Sequence, residues 1–410
     1  MQRAGTWGLF AVLTLGGAGI ASITGCATTQ ASRAGADLPR AVETAAAGSS
    51  GGAVTGAPTG TLAAASAHAG AAQGAAHVSA LPFINDDYAA ALAEAKRRNV
   101  PLFAEMWAPW CHTCVFMRAY VFTDSALAKH AGRFVWLAID IDKAENAPFL
   151  GKFETSGIPT SLVIDPSSEK AALKWLGSAN VGQIGKLLED GERAIASRGT
   201  DAAETALALA DRLHGEGKAA ESVPAYREAL EKGGAGWSRR PRALESLIGS
   251  LQASDQAEEC AKLARKEAPG MPRGSSFGNV TATGLGCALG TPWGAEYVAA
   301  LEPLVKEAVK LEGLLADDRS SVYGLLVDAA DARGDAAAAT ALATEWLVFL
   351  ETEAAKAPNP QARAVFDPHR VLAALKIEQP GRVVDALKAS ERDLPGDYNP
   401  PYRLAIVYQE

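Results

Sequence analysis

Trp107-Ala108-Pro109-Trp110-Cys111-His112-Thr113-Cys114 is the stretch whose reading decides the fold. The apolar run before it, Val100 to Met106, reads as a short buried strand, and Val115 to Tyr120 reads as the start of a helix. The local order is therefore strand, tight connection, paired thiols, helix. Cys111 falls at the first turn of that helix, where unpaired backbone N–H groups and the helix dipole stabilise a thiolate. The thiolate is the nucleophilic form, so this placement raises reactivity near neutral pH. A residue three positions on shares the helix face, which brings Cys114 within disulfide geometry of Cys111. Cys111 then attacks a substrate disulfide and Cys114 resolves the mixed disulfide. His112, when protonated, favours the thiolate further and leans the pair toward the oxidising end of the scale. Trp110, beside the nucleophile, helps to shape the surface a substrate meets.

These residues resemble the active site of the thioredoxin superfamily, and in particular the periplasmic thioredoxin-like proteins that include the C-terminal domain of the DsbD electron carrier. The resemblance implies roles for two further positions. Glu105, six residues before Cys111, stands where relatives carry a buried acid that shuttles the proton of the resolving cysteine. A carboxyl among apolar strand neighbours has a raised pKa, which suits that task. Thioredoxin itself has Asp there, so the reach of the side chain differs. Ser156-Gly157-Ile158-Pro159-Thr160 resembles the loop that holds the family's cis-proline, with Ile158 and Pro159 set to bind an extended substrate peptide. A zinc half-site is the other reading of the cysteine spacing, but no second pair with ligand spacing follows, so no metal is assigned.

The surrounding segments complete that fold. Asp87 to Asn99 has helical amphipathicity, Phe134 to Ile139 is a second buried strand, Ala147 to Phe153 is a short helix and Ser161 to Ile164 a strand. A turn at Asp165-Pro166 leads to a hairpin strand, Ala172 to Leu176, and Gly182 to Arg193 is the closing helix. The fold class expected is an α/β thioredoxin fold over residues 80–197, followed by an all-α helical-repeat domain over 198–410.

The helical part begins near Asp201. Four helix pairs are expected: Ala203 to Gly215 with Lys218 to Lys232, Arg242 to Ala253 with Gln256 to Ala268, Ser320 to Arg333 with Ala336 to Glu351, and Asp367 to Ile377 with Arg382 to Arg392. Tyr402 to Gln409 caps the array. Gly217 to Leu230 resembles helix B of a tetratricopeptide repeat, with Pro224 as a departure that is expected to kink or shift it. Gly270 to Gly294 reads as an interruption. Stacked pairs offer a concave face for a protein partner, and packing of these helices on the first domain is the alternative. Cys260, in a helix, and Cys287, in the interruption, are either a disulfide or two buried thiols.

The N-terminus reads as a targeting segment. Arg3 precedes an apolar run from Thr6 to Ile23, and Ile23-Thr24-Gly25-Cys26 resembles the lipobox of bacterial lipoproteins. The resemblance implies cleavage of residues 1–25 and acylation of Cys26, with more than one chain giving stable anchoring. Residues 26–79 are rich in Ala, Gly, Ser and Thr and poor in large apolar side chains, so they read as a disordered tether. A flexible coil of about 50 residues spans on the order of 40 Å. Ala27 rather than Asp after the cysteine favours the outer over the inner membrane of a Gram-negative envelope.

The 410-residue chain carries a net charge of −8 with its charges dispersed, which gives no basis for nucleic-acid binding. The function expected is a lipid-anchored extracytoplasmic thiol-disulfide oxidoreductase. Its partners are protein dithiols or disulfides and a protein electron donor or acceptor, and it needs no cofactor. A redox-dispensable envelope scaffold acting through the repeats, or a copper metallochaperone using the cysteines and His112, are the rival classes.

Overall fold

The computed structural model describes residues 81–155, 157–197 and 201–409. Cys26, the leader and the tether lie outside the described residues. Five strands, β1 (Phe83–Asn85), β2 (Leu102–Trp107), β3 (Val135–Asp140), β4 (Thr160–Asp165) and β5 (Lys170–Leu176), form one sheet in the order β1-β3-β2-β4-β5. β1, β3 and β2 run parallel, and β4 and β5 are antiparallel. β2 is central because nearly all of its side chains are apolar and both sheet faces are covered, the pattern of a strand buried on two sides. β1 was not anticipated, since three residues carry too little alternation to read.

Helices α1 (Tyr88–Arg98), α2 (His112–Phe116), α3 (Ala147–Lys152) and α4 (Val181–Ser197) belong to the sheet region. Asp87 caps α1 by accepting from the Ala90 N–H at 2.9 Å, and Asn99 closes it with φ 52°. α2 continues as a π-helical turn over Met117–Val121. Together they give the thioredoxin-like arrangement expected.

Twelve helices follow among the described residues. They are α5 (Ala202–Gly215), α6 (Ala219–Gly233), α7 (Arg240–Ala253), α8 (Ala257–Glu267), α9 (Ser275–Ala288), α10 (Ala295–Ala308), α11 (Ala316–Ala332), α12 (Ala336–Ala355), α13 (Pro360–Ala364), α14 (Asp367–Lys376), α15 (Val384–Asp393) and α16 (Asn399–Gln409). The helices of all four expected pairs are present, and the first three pairs pack as expected, whereas α14 packs on α12 and α16 and α15 on α13 and α16. α6 runs on through Pro224 without ending. The expected interruption is corrected. Ser275–Ala288 is a helix despite its Gly and Thr content, and Cys287 lies within it. Low intrinsic propensity is overridden here by close packing, since a Cβ on Gly284 would collide with the Ala264 side chain of α8.

Cys260 and Cys287 are disulfide-bonded, joining α8 to α9 across 27 residues of chain. Closing a loop of that length is worth between about 3 and 4 kcal/mol on the chain-entropy account. The double variant Cys260→Ala/Cys287→Ala is expected to lose that much, read as a lowered denaturant midpoint without loss of the Cys111–Cys114 pair.

The helices pack on the sheet region within the same structural unit. One continuous apolar cluster joins Phe103, Trp136 and Val163 of the sheet with Phe116 of α2 and with Trp346, Leu347 and Phe366 of the helical region. α5 lies along β5, covering a sheet edge that otherwise exposes unpaired backbone groups. The helices also form a second apolar cluster of their own, from Ala206 of α5 to Ala329 of α11, so only part of their buried apolar surface belongs to the cluster shared with the sheet. Among the described residues no helix is long and apolar enough to cross a membrane.

Candidate functional site

Cys111 is the N-cap of α2. Its backbone is extended (φ −80°, ψ 102°), and its Sγ accepts the Cys114 N–H at 3.2 Å. The two sulfurs are bonded, with Cα atoms 5.3 Å apart. The strand-to-helix turn that the sequence implied therefore places both thiols at a helix start.

The Ile158–Pro159 peptide is cis, and the Ile158 carbonyl oxygen lies 3.8 Å from Cys111 Sγ. Both residues are buried, and the Pro159 carbonyl already accepts the Gly177 N–H at 2.8 Å. Trp110 stays partly exposed, its Nε1–H donating to Asp142 Oδ2 at 2.7 Å.

Glu105 is fully buried on β2, opposite Ala138 and Ser161 in register. Burial lifts its carboxyl to about 7, although the Arg118 guanidinium, 3.0 Å from Oε2, pulls the other way. Oε1 is buried with no hydrogen-bond partner, so one side of the carboxyl is left to exchange a proton. Arg118, stacked 4.2 Å over the Trp107 ring, was not foreseen. It sits seven residues beyond Cys111, a spacing that only the folded strand–helix contact relates to Glu105.

His112 makes the contact that sequence reading missed most completely. Its Nδ1–H donates to Asp317 Oδ1 at 2.8 Å, and Thr113 Oγ1 donates to Oδ2 of the same carboxylate at 2.7 Å. Asp317 is at the start of α11, some two hundred residues away, and is 1 % exposed. Burial opposes the charged imidazole, but the Asp317 charge and hydrogen bond outweigh it, and the His112 pKa is raised. For Asp317 the same bond outweighs burial in the other direction and lowers its pKa. His369 of α14 stands edge-on to His112 with ring centroids 4.5 Å apart. Burial, with the His112 charge, takes His369 down to about 3, so it is a neutral imidazole bonded to Ser320.

His112, Asp317 and His369 bring ligand-type atoms within 4.8 Å of one another. Each already has a hydrogen-bond partner, which accounts for the cluster as a polar network. Cys111 itself is only 1 % exposed. His112, which the sequence set among the residues that meet a substrate, is held by the helical region, and so is its neighbour Thr113.

Residues 83–166 match the family described as Thioredoxin-like. The chain is 33 % identical over 94 residues to the thiol:disulfide interchange protein DsbD of Yersinia enterocolitica, covering 22 % of this chain and 16 % of that protein. The Yersinia pestis DsbD is 29 % identical over 112 residues, 26 % of this chain and 18 % of its own length. The chloroplastic thioredoxin-like protein CITRX of Solanum tuberosum is 25 % identical over 103 residues, 23 % and 57 % of the two chains. The chain thus spans less than a fifth of the DsbD proteins it matches, and these relatives cover about a quarter of this chain.

Proposed function

We propose that the protein is a thiol-disulfide oxidoreductase of the bacterial cell envelope, anchored through acylated Cys26 and acting on the disulfides of exported proteins. The observation that carries this is a disulfide-bonded Cys111–Cys114 pair at a helix start beside a cis-proline loop, on a Thioredoxin-like region similar to DsbD. In the reduced protein the Cys111 thiolate attacks a substrate disulfide. A mixed disulfide forms, and the first substrate sulfur leaves as a thiolate that takes up a proton. Cys114 gives its proton to the Glu105 carboxylate, attacks Cys111 Sγ and releases the second substrate thiolate, which is protonated in turn. Two electrons and two protons have then passed to the substrate, and a protein dithiol restores the reduced pair.

Reduction is the direction we propose here; the sequence leaves the direction open, with His112 leaning toward oxidation or isomerisation. A potential of about −270 mV, that of thioredoxin, is the result that supports it, and one of about −120 mV, that of DsbA, overturns it. Glu105→Gln tests the relay. The wild-type turnover rate is expected to rise through about pH 7 as the carboxyl ionises. The variant loses that inflection and slows by about 100-fold. The same group affects stability. Its folded pKa is above its ordinary value of 4.5, so the folded state holds a proton that the unfolded chain gives up. Stability therefore falls from about pH 4.5 to about 7, and Glu105→Gln flattens that fall.

The burial of Cys111 favours a second reading, in which the helices act as a partner-binding scaffold and the covered dithiol is dispensable. A Cys111→Ser/Cys114→Ser double variant that keeps the full cellular role selects the scaffold, and one that loses it selects exchange.

A further inference from the structure

Beside the redox pair opens a cleft of about 220 Å³, far more than ordered water alone requires. One wall is the Ile158–Pro159 loop with Thr113 and Ser178, and the other is built by α7, α9 and α11. Its lining is partly apolar, through Ala282 and Val322 among others, and two carboxyl-bearing residues, Glu245 and Asp318, belong to it.

Glu245 of α7 accepts from Asn279 Nδ2 at 2.6 Å through Oε1, while its Oε2 is buried with no hydrogen-bond partner. Asp318 of α11 accepts from Ser178 Oγ at 2.5 Å. Among the described residues neither carboxyl forms an ion pair. Arg242, three residues before Glu245, is engaged by Asp211. By contrast Asp211, Glu302 and Asp367, buried in the same helical region, each face a guanidinium. Burial lifts both Glu245 and Asp318 to about 7, and the charges of Asp317 and then Glu245 add to the push on Asp318. Arg242 and His112 act on these two carboxyls only from a distance, without forming an ion pair with either, so both groups remain costly when charged and a cation seated between them lowers that cost.

The cleft's position says what brings the cation. One wall is the loop whose Ile158 carbonyl lies 3.8 Å from Cys111 Sγ, so an occupant there is separated from the reacting sulfur by that residue alone. The long stem of a lysine or arginine suits the apolar part of the lining while its head reaches the acids.

We propose that this cleft seats the polypeptide segment flanking a substrate disulfide, and that Glu245 and Asp318 select a lysine or arginine side chain within it. The inference rests on the exchange reading above and names its substrate class.

The test uses short fluorescein-labelled peptides in which serine replaces cysteine, carrying arginine, glutamine or glutamate close to that serine. They are titrated against the oxidised full chain and followed by anisotropy. The arginine peptide is expected to bind about tenfold more tightly than the glutamate peptide, a spread that shrinks to about twofold in E245Q/D318N. Equal binding of the three peptides by the wild type, no binding, or a spread that survives in E245Q/D318N overturns the proposal. The wild-type series needs no variant, so a substitution that fails to fold does not rescue it. Serine peptides cannot exchange. An arginine preference in a protein that reduces no disulfide therefore sinks the exchange reading and leaves the cationic site standing.

Discussion

Cys114→Ser protein, reduced and then exposed to an extract of envelope proteins, is expected to retain partners as mixed disulfides, while Cys111→Ser protein retains none. The asymmetry follows from the helix start. Cys111 Sγ already accepts the Cys114 N–H, so the dipolar end of α2 bears on the leading sulfur and lowers its proton affinity. Cys114 is fully buried and lacks that position. With Cys114 replaced, attack proceeds but resolution cannot, and the covalent adduct accumulates. With Cys111 replaced, turnover falls to the uncatalysed background. Non-reducing gels followed by mass identification of the captured chains read the outcome and name the substrates. Equal capture by the two variants removes the assignment of Cys111 as nucleophile. The captured disulfides also report on the cleft, because they should lie near lysine or arginine if Glu245 and Asp318 select as argued.

Asp317→Asn is expected to cost about 3–5 kcal/mol at pH 5.5, the range for removing one partner of a buried ion pair. The variant leaves His112 enclosed beside a neutral amide. The pH dependence gives the loss its signature. The folded His112 pKa is raised, so its contribution is complete below the ordinary value of 6.5 and is lost as pH rises through the folded value. The folded Asp317 pKa is lowered from 3.8, so its contribution is present above 3.8 and is lost as pH falls through the folded value. The wild-type advantage over Asp317→Asn is therefore largest between these limits and shrinks at alkaline pH. Denaturant unfolding of both proteins at acid and alkaline pH measures it. A pH-independent difference removes the ion pair as its cause.

The same substitution bears on the redox pair. Without Asp317, burial is left to act on the imidazole next to Cys111 and lowers its pKa, so the thiolate has less positive charge beside it. If the Cys111 pKa rises by one unit, the reduced form is destabilised by about 1.4 kcal/mol and the potential moves about 30 mV more negative. Freed from Asp317, His112 and Thr113 also no longer hold α11 over the site, so alkylation of reduced Cys111 by a small reagent is expected to speed up.

Much of the sheet region was legible from local patterns. Apolar strands of the right length, an amphipathic helix with Asp87 and Asn99 at its ends, and paired cysteines at a strand–helix junction each act over a few residues. The positions of Glu105 and of the cis Ile158–Pro159 bond came through the family resemblance and stand where it implied. The helix α9 was hidden because its Gly-, Ser- and Thr-rich sequence is a poor helix former locally. Its small residues serve a close approach to α8, visible only with both helices in place.

The order of most strands and helices and the vicinal dithiol at a strand–helix junction were determined by the sequence itself. Both depend on neighbours close by in the chain. Only the tertiary structure decided that Asp317 clasps His112 and Thr113, that Arg118 tempers Glu105, that Cys260 bonds Cys287, and that Glu245 and Asp318 line a cleft beside the proline loop. Apart from Arg118 these groups come from distant stretches of chain. Nothing in a local periodicity relates them, and they meet because one apolar core closes the helical region over the sheet.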